Sequence, residues 1–216
     1  MRTLSGSLLL AALLGLGGCN SMTATAYDTI KLAVKGKVNT VPPERANNPR
    51  ADTLFIAAGA AEALYVAPRN SNGKIQWRGI TEQVETHNGR ITQLLGTPVE
   101  VLAPLDDQDP LSGNLLTVPE GAQVTRTVDY PLSYQTGMTQ QATYLHGPLE
   151  TMTVFGHSQT LQRIDEQIWM PQINYSAVNY YWVDPDTGDV RRSLQYPSPD
   201  LPVFDLIFTH QRGAAQ

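Results

Sequence analysis

A single cysteine, Cys19, is all the thiol chemistry in the 216-residue chain. One thiol forms no intramolecular disulfide, so oxidising surroundings would add nothing to the stability of the fold. It also offers no second thiolate for a structural metal. The four histidines (His87, His146, His157 and His210) share no metal-ligand spacing. Basic residues are few, 15 Lys and Arg against 20 Asp and Glu, for a formal charge of −5. Nucleic acid is thereby disfavoured as a partner, because binding it needs clustered Lys and Arg. An acidic polysaccharide would be repelled on average, unless a local patch overrides the mean field. No apolar run approaches the ~20 residues of a spanning helix. Neither a glycine-rich phosphate loop nor a dinucleotide fingerprint is present, so no cofactor is indicated.

What is present begins at the N-terminus. Met1-Arg2 and the short apolar run Leu8 to Leu14 lead into Leu16-Gly17-Gly18-Cys19. A short positive region, a brief apolar stretch and small residues are the pattern of a cleavable signal. The last four residues match the bacterial lipobox, in which cleavage precedes a lipid-modified cysteine. We therefore expect residues 1–18 to be a lipoprotein signal peptide and Cys19 to carry acyl chains, palmitate among them, that hold the protein to a membrane. Asn20 is not the aspartate that retains lipoproteins in the inner membrane. The expected location is the periplasmic face of the outer membrane. Cleavage would leave 198 residues (216 minus 18) with a charge of −6, since Arg2 is lost.

Residues 19–50 read as the lipidated N-terminus, a short helix and a linker. Tyr27, Ile30 and Val34 share one helical face between Ser21 and Lys37, and Lys31, Lys35 and Lys37 lie toward its end, where cations suit the helix dipole. Pro42-Pro43 and Asn47-Asn48 mark connection.

Residues 51–216 read as an all-β domain. Short alternating runs at Thr53 to Ala58, Glu62 to Ala67, Ile75 to Arg78, Gln83 to His87 and Arg90 to Leu95 are separated by turn residues. Asn88-Gly89 is a type I′ hairpin signal, since both central positions need positive φ. Pro98 to Pro119 is irregular. Gln123 to Tyr130 alternates again, and Thr143 to Leu145, Thr151 to Phe155, Leu161 to Trp169 and Val203 to Phe208 continue the sheet. Leu161, Ile164, Ile168 and Trp169 would also suit a helix. So many strands must avoid open edges, which favours an antiparallel barrel-like closure.

Asn179 to Val183 and Val190 to Gln195 form the clearest hairpin, joined by Asp184-Pro185-Asp186-Thr187-Gly188. Alternation sends Tyr180 and Trp182 to one face and Asn179 and Tyr181 to the other. We expect Tyr180 and Trp182 to fill the core and Tyr181 to face outward. An outward aromatic beside amide and guanidinium groups suits sugar stacking or an interface hot spot. Asn179, Tyr181, Arg191, Arg192 and Gln195 are therefore the candidate binding residues.

Catalytic patterns are near misses. In Gly156-His157-Ser158-Gln159-Thr160, Thr160 replaces the second glycine of a nucleophile elbow, and no α/β context surrounds it. Asp184, Asp186 and Asp189 have the glycine one place early for a calcium loop. Asp106, Asp107 and Asp109 could supply a glycosidase pair, yet adjacent acids in a Pro-rich loop are usually solvated.

Glu166, Trp169, Pro171, Asn179 to Trp182, Asp184, Thr187-Gly188, Ser193 and Gln195, with Trp77, Gly89-Arg90 and Leu95-Gly96 upstream, resemble the YjbF/GfcB family. Its members are lipoproteins encoded with group 4 capsule and exopolysaccharide genes. The resemblance covers most of the chain after Cys19 and is loose from Pro98 to Thr160. It implies a non-catalytic accessory in polysaccharide secretion or assembly, with the polymer and export proteins as candidate partners. Two alternatives stand beside it: a periplasmic glycan-modifying enzyme, and a carrier of a small hydrophobic ligand inside the barrel.

Overall fold

The computed structural model describes residues 51–68 and 73–209. Cys19, the signal peptide and the helix expected between Ser21 and Lys37 lie outside the described residues. Twelve strands follow in chain order: β1 (Ala51–Ala58), β2 (Ala61–Pro68), β3 (Lys74–Arg78), β4 (Gln83–His87), β5 (Arg90–Leu95) and β6 (Val101–Leu102). After an irregular stretch come β7 (Gln123–Tyr130), β8 (Gln135–Val154), β9 (His157–Met170), β10 (Tyr175–Val183), β11 (Val190–Gln195) and β12 (Phe204–Phe208).

The order in the sheet is β2-β1-β12-β11-β10-β9-β8-β7-β6-β5-β4-β3, all pairs antiparallel. From β3 to β12 the chain is a simple meander, and the β1–β2 hairpin is added to β12. That one long-range pairing curls the sheet into a nearly closed barrel whose two edges, β2 and β3, are consecutive in sequence. The Tyr65 hydroxyl reaches across from β2 to Glu82 Oε1 at 3.1 Å. At the β1–β12 seam the Thr53 amide donates to Thr209 Oγ1, and the Thr209 amide donates to the Thr53 carbonyl, each at 3.0 Å.

The expected all-β class is thus the observed one. Leu161 to Trp169 is strand, within β9. Thr143 to Leu145 and Thr151 to Val154 lie on one 20-residue strand, β8, interrupted by a bulge between His146 and Leu149, and Phe155 falls in the turn that follows. Gly147 and Pro148 occupy that irregularity, which hides the continuity of the strand from a period-two search. The tip of the β8–β9 hairpin runs beyond the ends of β7 and β10. Gly156 belongs to the two-residue turn at that tip rather than to a nucleophile elbow.

The core is inside. Leu54, Trp77, Leu94, Tyr144, Ile164, Tyr181, Leu206 and Phe208 are fully buried there. Trp77 packs against Phe208 with ring centres 6.4 Å apart, and its indole N–H donates to Thr86 Oγ1 at 2.9 Å.

The Asn88-Gly89 turn forms as the dipeptide predicts, with φ of 46° and 82°. Its position is less obvious: it seats against β11. The Gly89 carbonyl accepts from Gln195 Nε2 at 2.6 Å and from Ser193 Oγ at 3.1 Å, and the Ile91 amide donates to Gln195 Oε1 at 2.8 Å. A Cβ on Gly89 would stand 2.6 Å from Val190 Cγ1 and 2.7 Å from its Cβ. Gly121, at a similar φ of 75°, has nothing within 4 Å of such a Cβ. Both Gly→Ala changes meet the left-handed backbone penalty of ~1–2 kcal/mol. Only Gly89→Ala adds overpacking, commonly ~1–3 kcal/mol. Urea melts should therefore rank Gly89→Ala well below Gly121→Ala in stability; equal losses would mean the turn is not seated on β11.

Candidate functional site

Alternation along β9 places Ile164, Glu166, Ile168 and Met170 on the inner face, and along β7 it places Val124, Arg126 and Val128 there. Each strand therefore carries one charged residue in phase with its apolar ones. The two meet. Arg126 Nη1 donates to Glu166 Oε1, and Arg126 Nε and Nη2 hold Asp109, the latter at 2.9 Å from Oδ1. Arg90, the first residue of β5, places Nη1 at 3.0 and 2.9 Å from the two Glu166 oxygens, and its Nη2 donates to Gln140 Oε1 at 2.7 Å.

Glu166 has no exposed surface. Besides the two guanidiniums it accepts from the Tyr144 hydroxyl at 3.1 Å, the Tyr181 hydroxyl at 2.9 Å and Asn179 Nδ2 at 2.7 Å. Asn179 Oδ1 in turn accepts from the Tyr196 amide at 2.9 Å, and Arg126 Nη2 donates to the Tyr144 hydroxyl. Arg90, Arg126, Glu166 and Asp109 give two positive and two negative charges, so the cluster is neutral as a whole. It joins β5, β7, β8, β9, β10 and the loop carrying Asp109.

The electrostatics follow from that arrangement. Burial pushes the Glu166 carboxyl up, but Arg90, Arg126 and the Asn179 hydrogen bond outweigh it and hold the group at about 2. Burial works against the Arg126 charge, and Glu166 with Asp109 keeps it protonated well above its ordinary value. Burial and then Glu166 push both the Tyr144 and Tyr181 hydroxyls up, so they stay protonated as donors. A carboxylate ionised this firmly and met by five donor groups is a structural anion. It is not poised to exchange protons near neutrality.

Beside the cluster lies a small cavity of about 10 Å³, lined by Arg90, Gln140, Asn179, Gln195, Tyr196 and Pro197 among others. That is room for one water. Arg90 lines it, and the buried Nε of Arg90 has no hydrogen-bond partner.

The candidate binding residues divide. Asn179, Tyr181 and Gln195 face the interior, and Tyr181 is fully buried. This corrects the expected sense of the hairpin: the two faces are opposite, as alternation requires, but Tyr181 points in and Tyr180 and Trp182 point out. The physical reason is that the outer face is covered here as well. The Trp182 indole donates to Glu150 Oε2 at 2.9 Å, and the Arg192 guanidinium lies 5.4 Å from the Trp182 ring centre. Arg192 is also paired with Asp205 at 2.7 Å. Arg163 lies 5.4 Å from the Tyr180 ring and bonds Glu150 and Asp165. With both faces buried, no polar phase marks the outside. Arg191 is the extra residue of a bulge, since Trp182 pairs with Arg192 and Val183 with Val190.

Asp109 is corrected too. Asp106 and Asp107 are exposed, but Asp109 is 3% exposed, ion-paired with Arg126, and caps a short helical turn by accepting from the Leu111 amide. Asp184 acts as turn chemistry, accepting from the Asp186 and Thr187 amides at 3.0 and 3.2 Å. No metal-binding cluster of His, Cys, Asp and Glu occurs among the described residues. Arg126, Tyr144 and Gln140 went unrecognised in the sequence. The available signal was a charge at an inward phase, Arg126 between Val124 and Val128 and Glu166 between Ile164 and Ile168.

Comparison with known proteins gives a consistent set. The model of the family described as group 4 capsule polysaccharide lipoprotein GfcB, YjbF, matches residues 27–208. The uncharacterized lipoprotein GfcB of Escherichia coli (strain K12) is 23% identical over 198 residues, covering 89% of this chain and 92% of that protein. The crystal structure of the hypothetical lipoprotein YmcC from Escherichia coli (K12) shares the fold, with a TM-score of 0.69 at 21% identity over 88% of this chain and 96% of that one.

Removing the Glu166 charge leaves two buried guanidiniums undercompensated. Glu166→Gln should cost about 3–5 kcal/mol at neutral pH. The native carboxyl sits at about 2 against an ordinary 4.5. Its stabilisation is therefore complete above 4.5 and drains away as pH falls toward 2. At most this is roughly 3 kcal/mol. Urea melts between neutral and acid pH should show that loss in the parent and a flatter profile in Glu166→Gln. Parallel profiles would contradict the assignment.

Proposed function

The chain belongs to the family of group 4 capsule polysaccharide lipoproteins, and from that premise we propose that it is an outer-membrane lipoprotein serving exopolysaccharide secretion or assembly without catalysing a reaction. The observation that carries the non-catalytic half is the state of Glu166. This buried polar cluster is neutral, ionised and enclosed, and the cavity beside it has room for no more than one water. Such a cluster fixes the relative placement of strands; it does not receive a sugar. The packed interior also argues against carriage of a hydrophobic ligand through the barrel. Function on this account is carried by the outer surface, which meets polymer or export proteins, while the acyl chains on Cys19 hold the domain at the periplasmic face of the membrane.

Deletion and complementation test both halves together. A strain lacking the protein should secrete less polymer, and the intact chain should restore it. Cys19→Ser should fold but leave washed outer-membrane fractions and restore secretion poorly. Polymer incubated with the purified protein should keep its length and acetylation. Undiminished secretion in the deletion strain, or polymer shortened or deacetylated by the protein, would overturn the proposal.

A further inference from the structure

One large aromatic stands outside the barrel where its surroundings are uncharged. Trp169 is 38% exposed, whereas Trp77 and Trp182, the other two tryptophans of the chain, have no exposed surface. Its phase on β9 is opposite to that of Glu166 and Ile168, so it projects from the outer wall. The strand register puts a row across four strands: Thr125 opposite Gln141, Gln141 opposite Trp169, Trp169 opposite Ser176. At ~4.8 Å between strands the row spans roughly 14 Å. One step along, Thr143 faces Gln167 on the same wall. The neighbours of Trp169 in these rows are uncharged: Gln141, Ser176, Thr143 and Gln167 end in a hydroxyl or an amide, and Val178, opposite Gln167, is apolar. Charged pairs lie elsewhere on the outer wall, Arg163 with Asp165 and Arg192 with Asp205.

We propose that this wall is a glycan-binding platform, with Trp169 stacking on the apolar face of a pyranose and Gln141, Gln167 and Thr125 bonding its hydroxyls. The chemistry decides between occupants. A nonpolar protein surface would be met by a wider apolar patch, and an ionic partner by unpaired charge. One amphipathic ring amid neutral donors and acceptors matches a ring with an apolar face and a hydroxylated edge. The absence of charge in the rows also spares an approaching polymer the repulsion of a chain carrying −5. The proposal rests on the reading of the protein as a polysaccharide accessory and adds the place and the sugar chemistry.

Because Trp77 and Trp182 are enclosed, the emission that acrylamide quenches belongs to Trp169. The probes are exopolysaccharide purified from the producing strain, neutral dextran and acidic alginate, each added to the full chain. The strain's polymer should protect Trp169 from quenching. Trp169→Ala should weaken its binding in affinity electrophoresis at least ~10-fold, the scale of a hot-spot aromatic. Trp169→Phe should keep part of the affinity and Gln141→Ala should lose several-fold. Tyr134→Ala, which removes an aromatic 94% exposed at a turn, should bind as the parent does. Unprotected Trp169, or parental binding by Trp169→Ala, would overturn the platform. If the deletion strain still secretes less polymer in that case, the accessory role stands and only the platform fails; undiminished secretion removes both.

Discussion

The buried polar cluster of the barrel is arranged around one anion. A carboxylate with no exposed surface is affordable only when opposite charge and donors surround it, and Glu166 has two guanidiniums, two phenols and an amide. Those groups arrive from four strands around β9, so the charge balance cannot be met unless the strands are in register. A one-residue slip of β9 would turn Glu166 outward and bring Gln167 in. The cluster thereby couples the barrel's registry to a single electrostatic condition. Its net worth against an apolar core of equal volume is small or negative. What it contributes is uniqueness, since alternatives that strand Arg90 or Arg126 unpaired are strongly disfavoured.

Much of this architecture was legible in the sequence, and the reasons are local. Asn88-Gly89 and Asp184 to Gly188 announce their turns through backbone chemistry, independent of anything distant. The strands of β4, β5, β7 and β11 match their alternating runs residue for residue. The losses came where a second element intervenes. Tyr180 to Trp182 reads the same whichever face is inside, because Arg192, Arg163 and Glu150 cover the outer aromatics. Asp109 looks solvated beside Asp106 and Asp107, and only the fold brings Arg126 to it. Asn179 and Gln195 were picked out for good reason but serve the interior, bonding Glu166 and the Gly89 carbonyl. The aromatic that does stand outside amid amides is Trp169, on β9 opposite Ser176.

A fixed interior and a usable exterior are complementary. The inward polar groups of the domain bond one another, and the uncharged patch of outer wall around Gln141, Gln167 and Trp169 is left open. A fixed surface of this kind fits the proposed role of a tethered accessory better than a site that changes shape around a small substrate.

The central claim is that Glu166 is ionised and held by Arg90 and Arg126 within the folded barrel. Carbon-13 labelling of the glutamate side chains and titration of the carboxyl resonances by NMR tests it directly. The account predicts one glutamate that stays ionised to about pH 2 and whose signal shifts only as the domain unfolds in acid. A Glu166 resonance that titrates reversibly at or above 4.5 in the folded protein would contradict it.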